Sequence, residues 1–248
     1  MSHVYLYGRN PLREAVLSNQ PGLIERVLLT PVAEADGKLT GLLQKNGIKH
    51  ERVTDAEIES LVGRDATHQG ACAVLNERKL YTPLEEVLQD AKNSPEKPLL
   101  VVLDELQDPH NVGAIIRSSA AFGATAILMP EYDQVQVTGT VIKSSAGAVF
   151  SIPIVRIGNV NTTLRNLKQE GYWIYGLAGE GETRLESVAF DADSVIVVGN
   201  EGEGIREKTL ELCDFRLSIS IHKSVESLNA SNAVAVTLYE WAKQNPRG

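Results

Sequence analysis

Arg117 lies in DPHNVGAIIRSSAAFG, Asp108 to Gly123, with Gly113 and Ala114 one turn before it and Ala120 and Ala121 one turn after. On a helix these residues share a side. The guanidinium therefore has small neighbours and room for a ligand, and a fixed cation in such a place can stabilise a developing oxyanion or hold a phosphate. A surface arginine on an alanine-rich helix has the same local sequence. Asn111 fits the N-cap of this helix. His110 beside it could act as a general base, or simply cap or pack.

GNEGEG, Gly199 to Gly204, follows an apolar run and precedes a helical pattern, the context in which backbone amides receive a ligand. Its spacing is GxxGxG rather than the GxGxxG of dinucleotide sites. GLAGEG, Gly176 to Gly181, repeats that spacing after the preceding apolar run. Two such loops suggest a ligand laid across strand ends, although either alone could be a tight turn. Ser227 and Asn229 stand at the mouth of a final helix whose Ala233, Val234, Ala235, Val236 and Leu238 are apolar nearly all round, which suggests burial against a partner subunit. Glu201 and Glu203 share one loop, so they are not a glycosidase pair. GxSxG and GxxxxGK[ST] are absent.

The elements that must position these residues fall into two groups. From the N-terminus, Asn10–Pro11 opens a helix (PLREAVLS). There follow a strand (ERVLLT), a helix stopped by Gly47, a strand (IKHERVT), a helix capped at Asp55 (DAEIESLVG) and a strand (GACAVLNER). This small α/β module spans 1–78. LYTPLEEVLQDAKNSPEKP, with a short helix and two prolines, is expected to be a linker over 79–98. From 99 to 248, strongly apolar strands alternate with helices, as in a parallel sheet covered on both faces. LLVVLDEL, ATAILMP, IPIVRI, YWIYGLA, SVIVVG and FRLSISI are the strands; TGTVIKSSAGAVF, NVNTTLRNLKQEG, GIREKTLELC and SLNASNAVAVTLYEWAKQ are helices beside the one that carries Arg117.

The 248 residues, 43% hydrophobic, suffice for two domains with real cores. No apolar run reaches the ~18 residues of a membrane span, and MSHVYLYGRN lacks a signal-peptide pattern, so a soluble, cytoplasmic protein without membrane contact is expected. Cys72 and Cys213 have no partner at metal or redox spacing and are expected to be buried free thiols; no metal site is expected. The net charge of −8 works against nonspecific binding of nucleic acid, but it is uneven. Residues 1–80 hold ten basic and ten acidic side chains, whereas 99–248 hold twelve and eighteen. An anionic polymer would thus dock on the N-terminal module.

NVGAIIRSSAAFG, IVVGNEGEGI and SISIHKSVESLNASNAVAVTLYE, in this order, resemble the three motifs of the SpoU or TrmH family of RNA ribose 2'-O-methyltransferases, within the SPOUT class. YGRNPLREAV and HQGACA resemble the substrate-binding domain of its RlmB-type members, which methylate a guanosine of 23S ribosomal RNA. The resemblance covers nearly the whole chain. It implies an α/β SPOUT domain with a parallel sheet and a deep trefoil knot in its C-terminal segment, preceded by a small α/β domain like ribosomal protein L30e. It further implies S-adenosylmethionine as cofactor, RNA as substrate and a homodimer formed through the knot-region helices. By motif position, Asn111, Arg117, Glu201, Ser227 and Asn229 would be catalytic, and Leu177, Ala178, Gly199, Asn200, Gly202, Ile219 and Leu228 would hold the cofactor. The family account makes the arginine a base. Because a guanidinium keeps its proton at neutral pH, an electrostatic clamp on the ribose alkoxide is the better expectation. A transfer-RNA ribose methyltransferase and a noncatalytic ribosome-assembly factor of the same fold are the alternatives. In the third motif, where close relatives have SIPMxG, this chain has Ser220 for the proline and Lys223 for the glycine, which changes the loop's backbone freedom.

Overall fold

The computed structural model describes residues 3–246, and the chain packs as two compact units. One comprises 1–81 and 137–151, the other 82–136 and 152–248.

In the first unit the elements, labelled in chain order, are β1 (His3–Tyr7), α1 (Arg9–Leu17), β2 (Ile24–Leu29), α2 (Pro31–Glu34), α3 (Gly37–Lys45), β3 (Glu51–Arg52), α4 (Asp55–Val62) and β4 (Ala71–Asn76). The sheet order is β1-β4-β2-β3, with β4 antiparallel to both β1 and β2 and β3 parallel to β2. Leu6, Leu12, Leu29, Leu39, Leu43 and Leu75 are fully buried. Two caps differ from expectation. Helix α1 begins at Arg9 after Gly8, whose φ of 98° suits glycine, so Asn10 and Pro11 lie inside the first turn. Helix α4 is capped by Thr54 rather than Asp55, because Thr54 and Glu57 exchange the two bonds of a capping box. The run IKHERVT pairs only at Glu51–Arg52, and the strand from Ala71 gives way to a 3-10 turn at Glu77.

This unit also contains 137–151, which the sequence assigned to the C-terminal domain. The expected helix there is broken: α7 covers Gly139–Ser144, Gly147 turns left-handed at φ 82°, and a 3-10 turn follows. Helix α7 packs on β1. Gly139 is required for the approach, since a Cβ there would lie 2.2 Å from the Tyr5 carbonyl oxygen. Tyr7 Oη and Thr140 Oγ1 hydrogen-bond at 3.2 Å, and Lys143 sits over the Tyr7 ring. Val141 and Ile142 are fully buried.

The second unit contains α5 (Leu84–Asn93), β5 (Leu99–Asp104), α6 (Pro109–Ala121), β6 (Ala126–Pro130), β7 (Ile154–Ile157), α8 (Val160–Gln169), β8 (Trp173–Leu177), β9 (Thr183–Arg184), β10 (Ser194–Gly199), α9 (Glu207–Leu210), β11 (Phe215–Ser218) and α10 (Ala230–Gln244). Its seven strands run in the order β7-β6-β5-β10-β8-β11-β9, every neighbouring pair parallel. Strands β5, β6 and β10 are buried at every residue, which explains their unbroken apolar runs. Helix α5 is part of this core rather than of a linker, for Val87 joins the cluster of Val155, Ile157 and Leu164. Helix α9 is one turn where a longer helix was expected, and β11 ends at Ser218. Helix α10 buries Val234, Leu238 and Trp241 within the chain and leaves Val236 and Tyr239 exposed. Cys72 is buried and Cys213 partly so; burial pushes the two thiols up to about 11 and about 12. Among the described residues no helix is long and apolar enough to cross a membrane.

The packing of α7 on β1 makes a prediction about truncation. A fragment of residues 82–248 should bind a hydrophobic dye and melt below the full chain, because Val141 and Ile142 would lose the strand that covers them, a loss of roughly 1.5–3 kcal/mol for each side chain exposed. Equal melting temperatures and no dye binding would contradict this packing.

Candidate active site

All the candidate residues belong to the second unit, and strand order explains how they meet. The chain runs from β5 outward through β6 and β7, crosses to β8, and returns to insert β10 between β5 and β8. At such a reversal the loops leaving the carboxyl ends of neighbouring strands part and leave a crevice. Four loops converge there: 105–108 after β5, 200–206 after β10, 178–182 after β8, and 219–229 after β11.

The first loop ends in Asp108, whose carboxylate accepts a hydrogen bond from the His110 amide and caps α6, with Pro109 in the first turn. Asn111 is therefore not the cap. It lies inside the first turn, 7% exposed, and is free to bond elsewhere. Asn111 Nδ2 donates to Glu201 Oε1 at 3.0 Å, and Asn111 Oδ1 accepts from Asn229 Nδ2 at 2.9 Å. Glu201 also receives the amides of Gln107 and Asp108 at 3.3 Å, the positive side of a helix start. Asn229 caps α10 through Oδ1, which accepts from Ser231 N. One chain of hydrogen bonds thus joins all three segments singled out in the sequence.

Arg117 is exposed on α6 and makes no hydrogen bond or ion pair among the described residues. Gly113 below it is buried, Ala114 and Ala120 are half-buried, and Val112, Ile115, Ile116 and Ser119 take the core side. Helix α10 packs on α6, and Tyr239 meets Phe122 edge-on at 6.0 Å. Ser227 is exposed and outside the hydrogen-bonded chain, and the His110 side chain is exposed as well.

The glycine loop after β10 folds back on itself. Asn200 and Gly204 exchange both backbone hydrogen bonds, at 3.0 and 2.9 Å, and Asn200 Oδ1 accepts the Gly202 and Glu203 amides. The turn is tight enough that a Cβ at Gly199 would fall 2.1 Å from the backbone carbon of Gly204. The Asn200 side chain is thereby committed to its own loop and, through Nδ2, to the Glu105 carbonyl. Ala178 N bonds Leu217 O, holding the β8 and β11 exits together. Leu177, Ala178, Ile219 and Leu228 are half-buried around this edge, and Gly199 is buried. Within 219–229 the one backbone–backbone hydrogen bond among the described residues runs from Val225 N to His222 O. Two further main-chain groups of the segment are engaged, Ser224 N donating to His222 Nδ1 at 3.3 Å and Asn229 O accepting from Ala233 N at 3.0 Å. Ser220 is tied by hydrogen bonds to Arg184 and Glu186.

Three residues of the site went unnoticed in the sequence. Asp104, fully buried at the end of β5, receives the backbone amide and the guanidinium of Arg206. Glu105 accepts from the same guanidinium and adopts φ 66°, left-handed for a non-glycine residue. Burial alone would lower the Arg206 pKa; the hydrogen bond and charge of Asp104, with Glu105, outweigh it and raise the guanidinium above its ordinary value. The signal available was the acidic LDEL at a strand end, which gives no partner. Among the described residues no group of three or more His, Cys, Asp or Glu side chains could hold a metal ion.

Two family models match the chain: SpoU rRNA Methylase family over residues 98–239, and RNA 2'-O ribose methyltransferase substrate binding over 5–81. The 23S rRNA (guanosine-2'-O-)-methyltransferase RlmB of Xanthomonas campestris pv. campestris is 36% identical over 97% of this chain and 96% of its own. The putative TrmH family tRNA/rRNA methyltransferase YacO of Bacillus subtilis is 32% identical over 99% and 98%. Among solved structures, the SpoU methyltransferase AviRb from Streptomyces viridochromogenes in complex with AdoMet superposes with a TM-score of 0.80 at 25% identity, over 99% of this chain and 91% of its own. A substrate-binding match followed by a methylase match, together spanning most of the sequence, leaves one assignment: the chain belongs to the SpoU rRNA methylase family.

Proposed function

We propose that the protein transfers a methyl group from S-adenosylmethionine to the ribose 2'-hydroxyl of a guanosine in 23S ribosomal RNA. The observation that carries this reading is the Asn229–Asn111–Glu201 chain, which gathers the three motif segments at the carboxyl edge of β5 and β10. The choice of ribose, guanosine and 23S RNA follows the name of the Xanthomonas relative, which aligns over nearly the whole chain.

When bound, the cofactor supplies a methyl group already activated on a sulfonium, so transfer needs no metal. Leu177 and Ala178, Gly199, Asn200 and Gly202, and Ile219 and Leu228 would hold it, in loops whose shape is set by the Asn200–Gly204 and Ala178–Leu217 backbone bonds. A ribose hydroxyl is a poor nucleophile, and the protein must stabilise its negative charge as the proton leaves. Arg117 does this. Its exposed, unpaired guanidinium is available to the alkoxide and the neighbouring phosphate. Asn111 and Glu201 fix the first turn of α6 and so the direction in which Arg117 projects two turns later. Ser227 and Asn229 position the ribose on either side of Leu228.

Three further features belong to this reading. The C-terminal segment threads a trefoil knot, and the N-terminal module is an L30e-like RNA-binding domain ahead of a methyltransferase domain whose core already includes α5. Two copies pair through the knot-region helices, a reading supported by Val236 and Tyr239, 42% and 57% exposed on α10.

RNA labelled from S-adenosylmethionine should keep its label in an alkali-resistant dinucleotide beginning with guanosine, because a methylated 2'-oxygen can no longer attack the adjacent phosphodiester. Label found only in mononucleotides would mean base methylation instead. Arg117→Ala should lower turnover by on the order of 100-fold or more while leaving cofactor binding within about twofold of wild type, as expected for a contact made in the transition state. Gly199→Ala should have the opposite profile. Its Cβ meets backbone, so the loop must open, and calorimetry should show cofactor affinity falling roughly tenfold or more, the equivalent of the ~1–3 kcal/mol of overpacking. Unchanged affinity would remove that loop from the cofactor site.

A further inference from the structure

Asp104 is a fully buried carboxylate one strand away from the glycine loop, and all of its hydrogen bonds among the described residues come from Arg206. A carboxylate in that position is unfavourable unless paired and hydrogen-bonded. Arg206 follows directly on Ile205, which packs into the core where the loop 200–204 leads into α9. Its guanidinium spans two successive residues of the β5 exit, Asp104 through Nη2 and Glu105 through Nη1. Glu105 in turn presents its carbonyl to Asn200 Nδ2 at 2.9 Å, on the outgoing limb of the same loop. Both limbs are therefore fastened to the end of β5, and Glu201 projects from the span between them onto Asn111 and the amides of Gln107 and Asp108.

We propose that Arg206, with Asp104 and Glu105, is a latch that positions Glu201, and through it Asn111 and the start of α6, for methyl transfer. This inference rests on the methyltransferase reading above. The bidentate fork is what the task requires, since a lysine reaches one acid and leaves the other free. The left-handed conformation of Glu105 is held by the same contacts, strain of the kind that persists where its surroundings over-determine it. Arg206 acts through Glu201 and need not touch substrate or cofactor, so it is a positioning residue rather than a catalytic one.

A double-mutant comparison on the full chain separates the latch from a merely structural ion pair. Arg206→Ala should lower kcat by roughly 10- to 100-fold when Glu201 is present, and by less than about twofold in a Glu201→Gln background, since groups acting in series are not additive. Arg206→Lys should recover part of the loss. An equal loss in both backgrounds would overturn the proposal, because a general weakening of the fold ignores Glu201. Amide hydrogen exchange tests the latch without turnover. The Asn200 and Gly204 amides should exchange about tenfold faster or more in Arg206→Ala while those of β6 and β7 keep their rates; unchanged exchange in the loop would also overturn it. A wild-type protein that transfers no methyl group would sink the methyltransferase reading, leaving exchange to decide the latch. Should Arg206→Ala not fold, Arg206→Lys carries both comparisons with the same two outcomes.

Discussion

The placement of β10 between β5 and β8 is the constraint on which the rest of the second unit depends. It makes the chain leaving Asp104 and the chain leaving Gly199 emerge side by side in register, although they lie 95 positions apart along the sequence. Every contact of the candidate site follows from that adjacency. Glu201 can cap the approach to α6 because its loop starts one strand over, and Asn229 can reach Asn111 because α10 returns to pack on α6. Without the crossover, Asn111 would be a buried polar residue near a helix start and Glu201 a solvated loop acid.

Charge is organised within the same small region. The second unit carries the acidic excess of the chain, yet several of its acids are occupied: Asp104 and Glu105 by Arg206, Glu201 by amide donors, Asp214 by Lys168 and the Ile174 amide. Arg117 has no such partner. An acidic protein can thus offer a cation to an anionic polymer, provided its nearby carboxylates are already satisfied.

The sequence made the second unit legible because parallel strands buried on both faces are unbroken apolar runs, and Leu99–Asp104 and Ser194–Gly199 could hardly be anything else. Its motif segments were legible for a different reason, since glycine loops and an arginine among alanines are local patterns. What stayed hidden was pairwise. That Asp108 rather than Asn111 caps α6 was written locally, in an acid followed by proline in the first turn, whereas the bond from Asn111 to Glu201 is a contact no local window contains. Helix α5 looked like a linker because its flanks are polar, while the apolar face that docks Val87 is short. Segment 137–151 looked like one helix of the C-terminal domain until Gly147 broke it and β1 covered it. The Asp104–Arg206 pair joins residues 102 apart, and the acidic strand end LDEL marks only one half of it.

The bond between Asn229 and Asn111 spans 118 residues and involves the helix that ends the described chain. Contacts so distant in sequence raise the entropy of loop closure and slow folding. During vectorial synthesis the strands β5 to β8 are complete long before Asn229 leaves the ribosome, so the nascent chain holds a largely formed sheet with an unfinished crevice. On the proposed function, completion of the site therefore comes in one late step rather than growing with chain length, because a chain interrupted before α10 lacks the Asn229–Asn111 bond however well its first strands have paired.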